Sequence, residues 1–221
     1  PYSAKRSMIS NSLRTVEITL EHKYQWGLAD TTYNADSTAM TPRFTPRFGV
    51  KHQLNTNFQR HKFEDKFPNI SRYLFISDDI PFVNADTNKT NQQLHTIENK
   101  FALFGYFGKA GHQSLIEAGI ANRLDFIKDA VPNNRYSTTL VNNYLYGTIQ
   151  KEALDSFQWS YGADASFYFA GSAVGDYSLS GSIAKNLRNI GGLQLRFNQT
   201  LSAPPLAFTR FATNYYVVEN D

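Results

Sequence analysis

Apolar residues recur at every second position over long stretches of this chain, a period that belongs to strands and not to helices. From Thr15 to Trp26, the residues Val16, Ile18, Leu20, Tyr24 and Trp26 fall on one side, with His22 the only interruption. Thr15, Glu17, Thr19, Glu21, Lys23 and Gln25 fall on the other. On a helix the same residues would scatter around the axis. On a strand they give one greasy face and one face of charges and amides. The pattern returns as Phe44, Phe48, Val50, Leu54 and Phe58 against Arg43, Thr45, Arg47, Lys51, Gln53, Asn55 and Asn57. Ile116, Ala118, Ile120, Leu124 and Phe126 oppose Glu117, Gly119, Arg123 and Asp125. Phe157, Trp159, Tyr161, Ala163, Ala165, Phe167 and Phe169 oppose Gln158, Ser160, Gly162, Asp164 and Ser166. Shorter alternations follow at Tyr177, Leu179 and Ile183, and at Leu193, Leu195 and Phe197, whose polar neighbours include Arg196. Residues 94–107 and 139–149 are β-like with less clean faces.

The chain therefore reads as all-β, with about eight antiparallel strands and a ninth beginning near Tyr215. Lys109-Ala110-Gly111-His112 and Asn189-Ile190-Gly191-Gly192 read as tight hairpin turns, and the link over 151–155 is short. The stretch from Glu64 to Asn91 reads as one long loop, with links of intermediate length at 129–137 and 202–210. From the third strand onward short and longer links alternate. The long link over 29–42 breaks that order. No internal repeat, low-complexity tract or linker divides the chain, so residues 1–221 form one unit.

Two architectures fit alternating strands. In a soluble sandwich or barrel the apolar faces meet in a core. In a transmembrane barrel they turn outward into lipid, and the polar faces line the inside. Strand length separates the two. Soluble strands are most often about five or six residues long, whereas the alternation here runs on far enough to cross a bilayer at a tilt. From Trp159 to Phe169 is roughly 33 Å along the strand, or roughly 25 Å of height at a tilt of about 40°. Aromatics stand at both ends of that span with Ala163 and Ala165 between, the arrangement of interfacial girdles.

Composition sharpens the choice. Aromatics make up 14% of the 221 residues and charged residues only 19%, the difference being supplied by Asn, Gln, Ser and Thr. So many aromatics exclude a disordered chain. The absence of cysteine excludes disulfides and thiolate chemistry. A net charge of +3 without basic runs gives no nucleic-acid footprint. His22, His52, His61, His95 and His112 lack metal-ligand spacing, and His22 and His52 lie on the apolar faces. No G-x-S-x-G, Walker or dinucleotide pattern occurs, so neither catalysis nor a cofactor is expected. Asp78, Asp79 and Asp86 lack the EF-hand spacing and read as loop charge. Asn69, Asn88 and Asn198 open N-glycosylation triplets of the kind an Asn/Thr-rich chain contains by chance. Asp30-Thr31-Thr32 and Asp36-Ser37-Thr38 are similar to the O-glycosylation triplet of Bacteroidota envelope proteins.

The run from Val16 to His22, Arg47-Phe48-Gly49-Val50-Lys51-His52, Glu98-Asn99-Lys100-Phe101 and the strand from Tyr161 to Phe169 together resemble the β-barrel porins of Bacteroidota outer membranes. Asn214-Tyr215-Tyr216 is similar in style. Because members of that family are longer, the resemblance implies that this chain is part of a larger barrel in a Gram-negative outer membrane. The chain opens on Pro1 and stops at Glu219-Asn220-Asp221, in keeping with that expectation. Expected partners are membrane lipid and lipopolysaccharide, with other outer-membrane or envelope proteins beside them.

On this reading Glu17, Glu21, Lys23, Arg47, Lys51, Glu117, Arg123, Asp125, Asp164, Lys185 and Arg196 face the lumen. Val16, Ile18, Leu20, Tyr24, Trp26, Phe48, Val50, Ile116, Ile120, Trp159, Tyr161, Phe167 and Phe169 face lipid or form its aromatic girdles. A lumen lined by both signs of charge gives weak ion selectivity. The expected function is passage of small hydrophilic solutes. The alternative is a non-conducting structural barrel subunit of a larger outer-membrane secretion or assembly complex, and a third class is a soluble carbohydrate-binding sandwich.

Overall fold

Strands long enough to pair along their whole length need no second layer to define their register, and here each strand pairs with its neighbour in sequence. The computed structural model describes residues 8–33, 40–66, 87–108, 113–131, 134–153, 159–187, 191–202, 210–212 and 217–219. Eight strands form one sheet: β1 (Met8–Tyr33), β2 (Met40–Lys66), β3 (Thr87–Phe107), β4 (Ser114–Val131), β5 (Asn134–Lys151), β6 (Trp159–Gly171), β7 (Tyr177–Asn186) and β8 (Gly192–Leu201). Their order in the sheet is their order in the chain, and every pairing is antiparallel. This is the up-and-down meander that the alternation predicts. No ladder joins β1 to β8 among the described residues, so the sheet is an open part of a barrel.

The strands outrun their apolar alternation. β1 has 26 residues and β2 has 27, and their ladder runs from Met8 opposite Lys66 to Tyr33 opposite Met40. The polar flanks stay in the sheet because the backbone ladder needs only a partner strand, not an apolar face. This corrects several expected links. Most of the link over 29–42 is strand. Glu64–Lys66 and Thr87–Asn91 belong to β2 and β3, which leaves 67–86 as the connection. Between β4 and β5 only residues 132 and 133 intervene, so the intermediate link expected there is a tight hairpin. The β6–β7 turn at 172–176 is also short, and the expected alternation of short and longer links is not found. In place of a ninth strand in the main sheet, β9 (Arg210–Ala212) and β10 (Val217–Glu219) pair with each other. The expected turn at 109–112, the triplets at Asn69 and Asp36, the cluster Asp78, Asp79 and Asp86, and Phe157, Tyr215 and Tyr216 lie outside the described residues.

The sheet curls. One cavity of about 670 Å³ is lined by Leu13 on β1 and by Thr200 and Leu201 on β8, together with side chains of every strand between. Buried side chains, among them Ala102, Phe104, Ala121, Asp125 and Tyr144, lie on the polar, concave face. The apolar face is convex and bare: Ile18 is 62% exposed, Leu195 69% and Phe48 57%. No second sheet covers it among the described residues, so the sandwich reading fails. A soluble fold would have buried this face.

Two bulges bend the wall. At Trp26/Gly27 the register skips Arg47, and at Asn143/Tyr144 it skips Phe169. Beyond the second bulge, Asn142 Oδ1 accepts hydrogen bonds from Ser172 Oγ at 2.9 Å and from the Ala173 backbone N–H at 2.8 Å, tying the β6–β7 turn to β5. Gly171 enters that turn at φ 109°, where a Cβ would lie 1.9 Å from the Val141 carbonyl oxygen. Both conformation and space there require glycine. Gly171→Val is expected to lower unfolding stability by about 1–3 kcal/mol, read as a shifted urea midpoint in tryptophan emission. An unchanged midpoint would contradict this packing of the turn on β5.

Candidate functional site

On the concave face small residues on one strand let long side chains from its neighbours lie flat across it. Lys51 on β2 crosses β3 above Ala102, which is 1% exposed, and meets Glu117 on β4 at 2.5 Å. Tyr144 on β5 crosses β4 above Ala121, 2% exposed, and donates its hydroxyl to Glu98 Oε1 on β3 at 2.5 Å. The Tyr146 ring lies against Gly119 so closely that a Cβ there would stand 2.7 Å from it. Larger residues at these floor positions would lift the bridges off the wall.

Around Glu98 the second oxygen accepts from Asn55 Nδ2 at 3.1 Å and pairs with Lys100 at 3.1 Å. The Lys100 ammonium also stands 5.9 Å from the Tyr144 ring centre and 5.7 Å from that of Tyr146. One rung further along, Arg123 Nε donates to Asp125 at 2.9 Å, and Thr96 Oγ1 donates to the same carboxylate at 2.6 Å. Asp164 accepts from Thr148 at 2.9 Å and from Ser180 at 3.3 Å. Three ion pairs thus lie along the middle of the wall, each with side chains at least partly withdrawn from solvent.

The residues expected to face inward divide into groups. Lys51, Glu117, Arg123, Asp125 and Asp164 join the flat network. Glu17, Glu21 and Lys23 share the concave parity on β1 and are exposed; the Lys23 ammonium sits 4.6 Å above the Phe104 ring. Arg196 lies exposed on β8, opposite Ser182. Arg47 is the extra residue of the first bulge, without a partner on β1. Lys185 is a correction: it pairs with Trp159 on the convex face, its ammonium 5.1 Å from the indole centre.

The residues expected to face outward lie on the convex side. Val16, Ile18, Leu20, Tyr24, Trp26, Phe48, Ile116, Ile120, Trp159, Phe167 and Phe169 are all at least 40% exposed, while Val50 and Tyr161 are half-buried. Trp26 stacks on Phe48 at 5.2 Å with Tyr24 edge-on at 4.7 Å, and the Tyr161 hydroxyl bonds Ser114 Oγ at 2.8 Å. Aromatics thus gather toward one end of the convex band. His22 and His52 face each other across β1 and β2 at 5.8 Å on this side.

Sequence reasoning missed Glu98, Lys100, Asn142 and Tyr144. Their signal was present as Thr96-x-Glu98-x-Lys100, but Leu94 and Phe104 on the same face and Asn99 on the other blurred the alternation. Among the described residues no group of three His, Cys, Asp or Glu could hold a metal ion.

A single curved sheet with a bare apolar outside and a hydrogen-bonded hydrophilic inside is the wall of a transmembrane β-barrel. A family model described as "Putative porin" matches residues 3–221, and the chain belongs to that family: it is a porin-like β-barrel protein of the outer membrane. No curated protein and no solved structure matches the chain.

If the bridges hold one another in place, a double-mutant cycle on Glu98→Gln and Tyr144→Phe should return a coupling of about 0.5–3 kcal/mol in urea unfolding. Strict additivity would show that the two groups do not act on each other.

Proposed function

We propose that this chain supplies part of the wall of a diffusion channel in the outer membrane of a Gram-negative bacterium, passing small hydrophilic solutes along its concave face. The resemblance to Bacteroidota porins extends the proposal to that group. The carrying observation is the separation of faces: over the central band the convex face offers lipid mainly apolar and aromatic side chains, and the concave face offers water hydroxyls, amides and charges. The convex band is broken by the pair His22 and His52 and by the row Asn99, Asn122 and Asn143, in which Asn122 donates to Asn143 at 2.8 Å.

The mechanism follows from the wall's chemistry. Water wets the hydroxyls and amides, so a polar solute keeps hydrogen-bond partners as it moves. Lys51–Glu117, Lys100–Glu98 and Arg123–Asp125 neutralise each other and lie flat, which leaves the bore open and its field weak. Glu17, Glu21 and Lys23, exposed on β1, supply the residual field. Closure into a barrel requires that the edges of β1 and β8 find partner strands, since an unpaired edge cannot lie in lipid. The same flat pairing also suits a blocked structural barrel within a secretion or assembly complex, and conductance divides the two readings.

Reconstituted into a planar bilayer, the full-length protein should give discrete ohmic steps. Glu17→Gln with Glu21→Gln should move the reversal potential under a salt gradient toward anions. A silent, monodisperse barrel would favour the structural role. On the convex face, Ile120→Arg should cost about 2–4 kcal/mol of folding stability in lipid, measured by urea titration in vesicles; a neutral effect would place that face in water.

A further inference from the structure

Beyond Val16, Phe58 and Phe126 the convex face changes character. Arg14 stands opposite Arg60, Arg60 opposite Gln93, and Gln93 opposite Lys128, so one row across four strands carries three cations. In the next row Lys62 lies between Ser12 and Asn91. Strand parity puts all of them on the side of Val16 and Phe126. Arg14, Lys62 and Lys128 are exposed, and Arg60 is half-buried with its Nε donating to Asn91 Oδ1 at 3.0 Å.

None of the ion pairs among the described residues engages these four cations. The nearby convex acid, Glu64, is held by Lys89 at 3.2 Å. Asp65, Asp125 and Asp129 of the same strands are buried on the concave face. Like charges directly opposite each other on neighbouring strands repel. Arg14 and Arg60 therefore stand where an outside anion bridging them would relieve that cost, immediately above the apolar band.

The connections supply a direction. The β2–β3 connection over 67–86 leaves from this end of the sheet. The other connections at this end, 132–133 and 172–176, are short, and at the opposite end the connections cover 34–39, 108–113, 152–158 and 187–191. So 67–86 is the longest of the connections between the eight strands and alone gives the direction. Outer-membrane barrels carry their longer loops outside the cell.

We propose that Arg14, Arg60, Lys62 and Lys128 bind the phosphates of lipid A, the phosphorylated glycolipid of the outer leaflet, and so fix this end of the sheet at the cell exterior. The inference rests on the outer-membrane reading above. Anionic headgroups at an interface attract Lys and Arg, and the arginine fork matches phosphate geometry.

The test uses the full-length protein expressed in outer membranes, with the mobility shift of unheated samples reporting a folded barrel. After detergent exchange, the triple variant Arg60→Gln, Lys62→Gln, Lys128→Gln should retain roughly tenfold less lipid A by mass spectrometry, while Lys151→Gln with Lys185→Gln at the other end retains as much as the parent. Equal retention by the triple variant with the mobility shift intact would overturn the proposal and leave the barrel reading standing. So would equal retention of dephosphorylated lipid A, or retention of phosphatidylglycerol to the same degree. A cysteine introduced as Asn84→Cys should react with a membrane-impermeant maleimide on intact cells; labelling only after lysis overturns the orientation. A product that stays in solution without detergent and shows no mobility shift removes the barrel reading and the lipid site together.

Discussion

A peptide group in hydrocarbon has no water to bond, so every N–H and C=O that crosses the membrane must find its partner in a neighbouring strand. That constraint organises this molecule. It explains ladders that continue unbroken past the apolar band, neighbours taken strictly in chain order, and bulges in place of breaks where the wall must bend. It also means that the edges of β1 and β8, which pair with no further strand among the described residues, must find partners wherever they lie in lipid. Hydrophobic burial, the main driving force of a soluble fold, plays a different part here, because the apolar side chains stay outside and lipid does the covering.

With the apolar face committed outward, the concave face must specify its own packing from polar groups. It does so by pairing size with charge. Ala102, Ala121 and Gly119 form a low floor, and Lys51, Tyr144 and Tyr146 lie across it instead of standing up into the bore. Lys51–Glu117 and Tyr144–Glu98 therefore fasten strands two apart, Lys100–Glu98 and Arg123–Asp125 pair within one strand, and Glu17 and Glu21 on β1 stay exposed. A wall built in this way pairs most of its central charges within itself.

Much of this was legible in the chain. Strict alternation over Val16 to Trp26 and over Trp159 to Phe169 assigned residues to the two faces, because the side-chain period of a strand is fixed by the pleat. The same rule failed where a face was mixed, as on β3, where Leu94, Ala102 and Phe104 share the inner face with Glu98 and Lys100. It misplaced Lys185, whose ammonium stands over an indole on the outside, since a long amphipathic side chain can sit on an apolar face. Loop lengths were overestimated wherever polar flanks were in fact paired strand, because hydropathy records burial and not backbone pairing.

The sequence by itself determined the strands, their alternating faces and the length of the apolar band, all of which follow from local geometry repeated along the chain. Only the tertiary structure decided which way the faces look, where the register slips at Arg47 and Phe169, and which charges meet. Curvature and cross-strand register are properties of neighbouring strands together, and no single strand encodes how far its partner has slid.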